Sequence, residues 1–307
     1  MQLLQPDTGT LQSDLAGYGG IEHPHGPADG RQVRLVLMAP PDARISPDFQ
    51  DVQCKPSWHD ELMGRMQQFR GSVYLEDGAV ERRQLSRDGR HRVAIDADSW
   101  HLLALDGTGN MCGCVRYYSH ASGTRFQELW VRHSALATSK IWGGAFRQAV
   151  DAELQQARQR NVSYVEVGGW AISSERRCTT EAARTALATY SLARILGGCI
   201  GITTATVRHS SSSLLRRIGG SPLRTEAGEL PPYYDPQYTC EMEVLRFDSE
   251  SPAAKYFTLV DRLRSDILSV PVVCRTSPRA PWSYHCYPNR RPPAAQFSTG
   301  LYAAQRA

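Results

Sequence analysis

Lysine is scarce in this 307-residue chain: of 35 basic residues, only Lys55, Lys140 and Lys255 are lysines. Arginine therefore supplies almost all of the positive charge, and its planar guanidinium favours bidentate contacts with phosphates and carboxylates. A GC-rich genome would produce the same bias, so both causes stay open at this point. The net charge of +4 is small, and basic residues are interleaved with acidic ones along most of the chain. The composition therefore argues against a specific nucleic-acid partner.

Long apolar runs are also absent. No run approaches the ~18 residues of a membrane-spanning helix, and no apolar segment of a secretory signal is present. The cysteines, mostly inside apolar segments, have no zinc-ligand spacing beyond the Cys112-Gly113-Cys114 pair. They are Cys54, Cys112, Cys114, Cys178, Cys199, Cys240, Cys274 and Cys286. We therefore expect reduced thiols, no metal site, no transmembrane segment and a cytoplasmic location.

The length permits one catalytic domain with appendages. Residues 1–50 carry Gly, Pro and Asp clusters and are predicted to be mostly irregular, apart from a possible edge strand over 33–38. The main domain is assigned to 51–248. A helix and extension follow over 249–274, and 275–307 is rich in Pro and Arg without apolar periodicity, which predicts a disordered tail.

Hydrophobic periodicity predicts the elements of the main domain. A helix begins near Ser57, whose hydroxyl can cap it. Segments 101–105 and 111–118 flank a Gly-rich turn and therefore form a hairpin. A strand over 126–131 then precedes an amphipathic helix. The last strand is predicted over 240–247.

Residues 163–222 are the most informative stretch, because they read as strand, turn, helix, strand and short helix without interruption. Gly168 and Gly169 lie inside the first strand, where glycine is unfavourable unless the strand bulges or another molecule approaches its backbone. The turn at 176–182 opens a helix whose free N–H groups and dipole suit a pyrophosphate. This order predicts a binding site for an acyl thioester.

The same order resembles the GNAT superfamily of acyl-CoA N-acyltransferases. The phosphate loop of that family has Gln or Arg, two residues, Gly, one residue, and Gly or Ala; Arg177, Thr180 and Ala182 match it, with Thr180 in place of Gly. A tyrosine that many members use as general acid aligns with Leu215. The candidate donor-binding residues are Val167, Gly168, Gly169, Arg176, Arg177, Thr179, Thr180 and Ala182. A second loop, 140–145, also matches the pattern, but only the Arg177 loop is followed by a strand and a Ser-rich helix.

Four further positions, in order, resemble the autoinducer-synthase-like branch, which includes N-acyl-homoserine-lactone synthases and long-chain N-acyl amino acid synthases. They are an Arg in the N-terminal helix, an acidic residue before the first core strand, an Arg after a Gly-containing strand and a Glu on the cofactor strand. In this chain they are Arg70, Asp96, Arg116 and Glu166. The resemblance covers roughly residues 58–248.

The resemblance implies an α+β fold, an α/β/α sandwich with a mixed, mostly antiparallel sheet and helices on both faces. It implies an acyl-CoA or an acyl-carrier protein as co-substrate, a small-molecule amine such as an amino acid as acceptor, and no tightly bound cofactor. A catalytically silent module that binds an acyl thioester or a protein, and an acetyl-CoA-dependent N-acetyltransferase, are the alternatives.

Amide formation requires a neutral amine and donors for the developing oxyanion. Backbone near Val167 and Gly168 can supply such a donor, and Glu166 on the same strand can accept or orient the amine proton. Arg116 can hold an acceptor carboxylate, or can form an ion pair with Asp96 or Glu166.

Two further regions carry candidate proton-transfer groups. His209 follows the second strand of the pair and is a candidate base, or it caps the Ser-rich helix. Tyr233, Tyr234 and Asp235 lie in a Pro-stiffened loop that can border the acceptor site, with Tyr234 as a possible proton donor. Tyrosines in such loops more often pack a turn.

Overall fold

The computed structural model describes residues 33–177 and 179–277. The first 32 residues of the predicted irregular segment, the Cys178 thiol and the predicted tail from residue 278 onward lie outside the described residues. The helices are α1 (Pro56–Glu76), α2 (Gly143–Gln159), α3 (Thr180–Ile195), α4 (Ser211–Ile218) and α5 (Phe257–Ser269). The strands are β1 (Arg34–Met38), β2 (Asp51–Cys54), β3 (Trp100–Leu105), β4 (Met111–His120), β5 (Ser163–Ile172), β6 (Cys199–Thr206), β7 (Ser221–Pro222), β8 (Arg224–Thr225), β9 (Gly228–Glu229), β10 (Tyr233–Asp235), β11 (Cys240–Asp248) and β12 (Pro271–Cys274).

One large sheet has the strand order β10-β11-β6-β5-β4-β3-β1-β12-β2, and β7 also pairs with β11. The predicted hairpin is confirmed, since β3 and β4 are antiparallel neighbours. Parallel pairing occurs between β5 and β6, β1 and β12, and β12 and β2, whereas the other pairs of this sheet are antiparallel. The expected mixed, mostly antiparallel sheet is therefore confirmed.

Helices cover both faces of the sheet, because successive strand residues point to opposite sides. On β3, Leu102 packs in a core with residues of α3, α4 and α5, whereas Leu103 packs in a core with residues of α1. The predicted amphipathic helix α2 buries Phe146 and Leu154 in a third core beside β5 and β6. The expected α/β/α arrangement is confirmed, with α1 and α2 on one face and α3, α4 and α5 on the other. None of the helices in the described residues is long and apolar enough to cross a membrane.

Two predictions about the ends of the sheet were wrong. The apolar run 33–38 was expected at an edge, but β1 lies inside the sheet between β3 and β12. The reason is β12, a late strand that pairs in parallel with both β1 and β2. It follows β11, which the sequence pattern predicts to be the last strand. Residues 271–274 thus belong to the same sheet as the main domain.

Two local predictions also fail. Helix α1 begins at Pro56, and no side chain caps it, so the Ser57 hydroxyl does not have that role. Proline suits this position because its missing N–H would have no helical partner there. The segment 126–131 is not a strand but part of two 3₁₀ turns, Phe126–Glu128 and Trp130–His133. Backbone N–H groups of the second turn donate to the Glu166 carboxylate instead of to a neighbouring strand.

Candidate active site

The parallel strands β5 and β6 separate toward their C-terminal ends. Their pairing runs from Ser163 beside Cys199 to Val167 beside Thr203 and stops there. Further along, β5 pairs with β4, and β6 pairs with β11. Within the described residues no strand therefore covers the β6 side of β5 beyond Val167.

A bulge in β5 lies at the start of this opening. Arg116 of β4 pairs with Gly168, but Cys114, two residues earlier, pairs with Ala171, so β5 carries one extra residue. Gly169 has φ +60°, a conformation that glycine adopts without steric cost. The bulge predicted from the two glycines is present.

The loop after β5 leads into α3, as predicted. Thr179 is the N-cap of α3, and its hydroxyl accepts a hydrogen bond from the Glu181 N–H at 3.2 Å. Arg177 donates through Nη1 to Oδ1 of Asp77 at 2.6 Å and through Nε to the Ile172 carbonyl at 3.3 Å. The arginine proposed to bind phosphate is thus held by a carboxylate from the end of α1.

Other residues of the candidate phosphate loop occupy the positions that the sequence predicted. Arg176 ends a short 3₁₀ turn after β5. Thr180 and Ala182 lie in the first turn of α3, and Ala182 is buried. The competing loop, residues 140–145, follows 3₁₀ turns rather than a strand, and the Ser139 hydroxyl accepts from its backbone N–H groups at Ile141 and Trp142.

His209 lies where β6 ends, on the opposite side of the same opening. It has φ +61°, and Ser210 after it has φ +60°. Its Nε2 is 3.9 Å from Oδ1 of Asp77, and its side chain is 45% exposed. Asp77 therefore reaches the residues that follow both separated strands. We call Asp77, Arg177 and His209 the mouth cluster.

Beneath the bulge lies a buried set of charges, Arg70, Asp96 and Arg116, which we call the buried arginine cluster. Arg70 donates to both Asp96 oxygens, at 3.0 and 2.6 Å, and Arg116 donates to Oδ1 at 3.3 Å. A Cβ atom on Gly169 would lie 3.0 Å from Nη1 of Arg70, and one on Gly168 would lie 3.1 Å from Nη2 of Arg116. The glycines therefore let two guanidinium groups approach the β5 backbone.

Asp96 is the common partner in this cluster. It also accepts hydrogen bonds from Gln67 Nε2 and the Val93 N–H, each at 3.1 Å. Burial acts to raise the pKa of Asp96, but the hydrogen bonds and charges of Arg70 and Arg116 hold it well below its usual range. Two guanidinium groups face one carboxylate, which leaves one excess positive charge beside Gly168.

Two buried histidines adjoin the cluster without adding to its charge. Burial and the nearby arginines lower the pKa of His91 and of His101 to about 4. Nε2 of His101 donates to the Asp96 carbonyl at 2.8 Å, so Nδ1 is its unprotonated nitrogen. Both histidines bury Nδ1 without a hydrogen-bond partner among the described residues.

Glu166 is buried on the face that carries α1 and α2, and within the described residues no hydrogen bond or ion pair joins it to Arg116. Its carboxylate accepts from the N–H groups of Trp130 at 2.8 Å and Val131 at 2.6 Å, and it lies 2.8 Å from Nε2 of His120. The sequence left open whether Arg116 pairs with Asp96 or with Glu166. In the structure Arg116 pairs with Asp96, and Glu166 has His120 as its side-chain partner.

Sequence reasoning did not identify His120 or Tyr118. Side chains alternate along β4, so Arg116, Tyr118 and His120 share one face. Tyr118 pairs with Glu166 across the strands, and its ring packs edge-on against His120 at 4.6 Å. Burial, and then the charges of Asp98 and Glu166, raise the pKa of Tyr118. The period of two in Arg116-Val-Tyr118-Ser-His120 is the signal that could have found them.

The segment Tyr233–Asp235 is an edge strand, β10, rather than a loop. It lies three positions from β5 in the sheet order, a separation of about 14 Å at ordinary strand spacing. Tyr234 is 60% exposed, whereas Asp235 is buried and accepts from the Gln237 N–H. The structure does not bring this strand beside Arg116.

Neither a protein-family model nor a curated protein matches the sequence. Three solved structures with a similar fold are a CoA-dependent acyl-homoserine lactone synthase, BjaI, with SAM and isopentyl-CoA; FeeM, an N-acyl amino acid synthase from uncultured soil microbes; and arylalkylamine N-acetyltransferase 2 from Aedes aegypti. BjaI has 14% identity over 81% of this chain and 96% of its own, with a TM-score of 0.47. FeeM has 11% identity over 71% and 93%, with a TM-score of 0.43. The acetyltransferase has 15% identity over 70% and 98%, with a TM-score of 0.39. The likeness is one of fold only.

Proposed function

We propose that this protein is an N-acyltransferase that moves an acyl group from an acyl-CoA or acyl-carrier-protein thioester to the amine of a small acceptor that bears an acidic group. The observation that carries the proposal is the opening between β5 and β6, with a bulge at its start, a helix N-terminus after β5 and an excess positive charge under the bulge. No tightly bound cofactor is needed for this reaction.

The donor occupies the opening between β5 and β6 in this proposal. Its thioester carbonyl accepts a hydrogen bond from the β5 backbone around Val167 and Gly168, where β6 has turned away. Its phosphate-bearing end lies at the N-terminus of α3, close to Arg176 and Arg177. Thr179, Thr180 and Ala182 shape that loop.

The acceptor lies on the α1 and α2 face of β4 and β5. The excess positive charge of the buried arginine cluster supports an acidic acceptor. Arg116 and Arg70 share the single carboxylate of Asp96, so one of the two guanidinium charges is left to pair with a carboxylate of the acceptor. Asp96 orients Arg116 and has no direct role. An amino acid, with its amine and carboxylate close together, fits this pairing.

Glu166 and His120 form the proton-transfer pair. The neutral amine attacks the thioester carbonyl, a C–N bond forms and the oxyanion is held by the β5 amide. The ammonium proton passes to the pair, and collapse of the intermediate breaks the C–S bond and releases the thiolate. His209 and Tyr234 are the alternative proton-transfer residues. Leu215 cannot protonate the thiolate, so the reaction cannot use the tyrosine that many GNAT enzymes place there.

The direct test incubates the purified protein with acetyl, medium-chain and long-chain CoA and carrier-protein thioesters and a panel of amines, and detects amides by mass spectrometry and free thiol by absorbance. Removing a positioned base typically costs about 10²–10⁴-fold in rate. We expect Glu166→Gln to lower kcat by that amount and to change donor affinity little. His120→Gln keeps an N–H donor toward Glu166 and therefore separates proton transfer from anchoring of the Trp130–His133 turn.

Arg116→Ala should chiefly raise the KM of the acceptor, because it removes the proposed carboxylate contact. Glu243→Gln is the matched control for Glu166→Gln. Glu243 is also a buried glutamate, but it pairs with Arg216 and lies on β11, on the side of β6 away from β5. Near-wild-type kinetics in folded Glu166→Gln, His120→Gln and Arg116→Ala variants would overturn the site assignment and move attention to His209 and Tyr233–Asp235.

Leu215 stands where many GNAT members have the tyrosine general acid, and Thr180 stands where their phosphate loop has glycine. These two differences favour one second candidate, a module that binds an acyl thioester without turning it over. Saturable donor binding without thiol release across the full amine panel would support that function. An acetyl-specific enzyme would show the same transfer chemistry with only the shortest donor.

A further inference from the structure

We propose that Cys54 and Cys274 form a redox-sensitive disulfide that joins the edge strand β2 to the C-terminal strand β12. The two residues are direct partners in the parallel ladder of these strands. The Lys55 N–H donates to the Cys274 carbonyl at 3.0 Å, which fixes the register at this pair. Paired residues in register point to the same face of a sheet, so both thiols lie on one side.

The spacing is compatible with a disulfide. Neighbouring strands lie about 4.8 Å apart, and disulfide-bonded cysteines have Cα atoms about 4.4–6.8 Å apart. Both residues end their strands, where the backbone can adjust more easily than inside the ladder. Burial and the neighbouring Cys54 sulfur raise the pKa of the Cys274 thiol to about 11.

The two thiols differ in access, and that difference defines the order of reaction. Cys54 is exposed, whereas Cys274 is buried in the core that contains Val272 and Ile267. The other cysteines of the described residues, Cys112, Cys114, Cys199 and Cys240, are buried. Within this part of the chain, Cys54 is therefore the thiol that a soluble oxidant meets first.

With oxidised glutathione as oxidant, the Cys54 thiolate attacks one glutathione sulfur, forms a mixed disulfide and expels a glutathione thiolate. Cys274 then loses its proton to solvent and attacks the Cys54 sulfur, which releases the second glutathione. Two protein thiols are oxidised, and one glutathione disulfide is reduced to two thiols. The raised pKa of Cys274 lowers its thiolate fraction at neutral pH and slows this second step.

The bond would tie the segment immediately before α1, the helix that carries Arg70 and Asp77, to the last strand of the sheet. It would close a loop of more than 200 residues between positions 54 and 274, and a long loop removes substantial entropy from the unfolded chain. We therefore expect the oxidised protein to be more resistant to heat than the reduced protein.

The test uses the full chain in a Cys178→Ser/Cys286→Ser background, which removes the two cysteines outside the described residues. The protein is treated with a series of reduced-to-oxidised glutathione ratios, alkylated and digested, and its peptides are mapped by mass spectrometry. We expect a Cys54–Cys274 cross-linked peptide and a melting temperature that rises by about 3–10 °C on oxidation. Both should be lost in Cys54→Ser and Cys274→Ser.

Cys112→Ser is the matched control, because it removes a buried thiol from a different strand and should leave the cross-link intact. A Cys54–glutathione adduct that persists without a cross-link, or two free thiols under every oxidising ratio, would overturn the proposal. Cross-linking between two chains, detected as a dimer on a nonreducing gel, would overturn it as well.

Discussion

Two groups of arginine and aspartate flank β5, and their surroundings differ sharply. In the buried arginine cluster, the side chains of Arg70 and Asp96 are 0% and 2% exposed, and Asp96 accepts from a glutamine and a backbone N–H as well as from arginines. In the mouth cluster, the side chains of Arg177 and Asp77 are 28% and 20% exposed. The buried group has one geometry fixed by many partners, whereas Arg177 in the mouth cluster is held by one carboxylate and one carbonyl and is partly exposed. The first suits a fixed scaffold beneath the bulge, and the second suits the proposed exchange of Asp77 for a phosphate of the donor.

Breaking the buried arginine cluster should have the largest effect on stability. Arg70→Met removes the donors at 3.0 and 2.6 Å and leaves the Asp96 carboxylate buried with a weaker partner. Loss of one member of a buried pair typically costs about 3–5 kcal/mol. We expect a fall of that size in the free energy of unfolding, measured by urea titration with an unchanged slope.

Arg177→Met is the control in the mouth cluster, where a partly exposed pair is worth about 0–1 kcal/mol. Equal losses for the two methionine variants would show that burial does not separate the clusters in energy.

The two buried histidines beside the buried arginine cluster, His91 and His101, should make stability depend on pH. His91 and His101 have a pKa of about 4 in the fold, below the 6.5 of an unperturbed histidine. The unfolded chain therefore binds more protons than the native protein between these two pH values. The contribution of the two histidines to the free energy of unfolding is fully present above pH 6.5 and falls as the pH drops toward 4. Each histidine contributes up to about 1.4 kcal/mol per pH unit within that window.

Urea titrations at several pH values measure this slope. His91→Gln/His101→Gln should flatten it, since glutamine does not titrate and retains an N–H donor for the Asp96 carbonyl. An unchanged slope in the double variant would place the titrating groups elsewhere, for example at His59, whose pKa is also lowered by burial.

The contrast between the clusters also shows what the sequence could predict. Local signals sufficed for the bulge, because adjacent glycines destabilise an apolar strand unless it bulges or a ligand approaches it, and for the N-terminus of α3. Arg70, Asp96 and Arg116 were identified from their order along the chain, and the Arg116–Asp96 pair was one of the alternatives that the sequence left open. The Arg70–Asp96 pair was not predicted, because it joins a helix to a turn 26 residues away.

The partner of Glu166 was beyond local reasoning for the same reason. Nothing near position 166 indicates that its carboxylate accepts the N–H groups of Trp130 and Val131, which convert an expected strand into a turn. Likewise, β1 reads as an edge strand until β12, more than 230 residues later, pairs with it. These features depend on long-range pairing, which periodicity does not encode.

The smallest effect on stability, and the sharpest test of the difference between the clusters, should come from Asp77→Asn. This change removes the charge that holds Arg177 at 2.6 Å and leaves a neutral side chain of the same size at the end of α1. Because the pair is partly exposed, the free energy of unfolding should change by less than about 1 kcal/mol. The freed guanidinium should bind the donor phosphate better, so calorimetry should show tighter binding of CoA or of an acyl-carrier protein, whereas Arg177→Glu should weaken it. Unchanged donor affinity in Arg177→Glu would assign the donor to the loop at 140–145 instead. Unchanged affinity in Asp77→Asn alone would mean that Asp77 does not compete with the donor, and the mouth cluster would then be as fixed as the buried one.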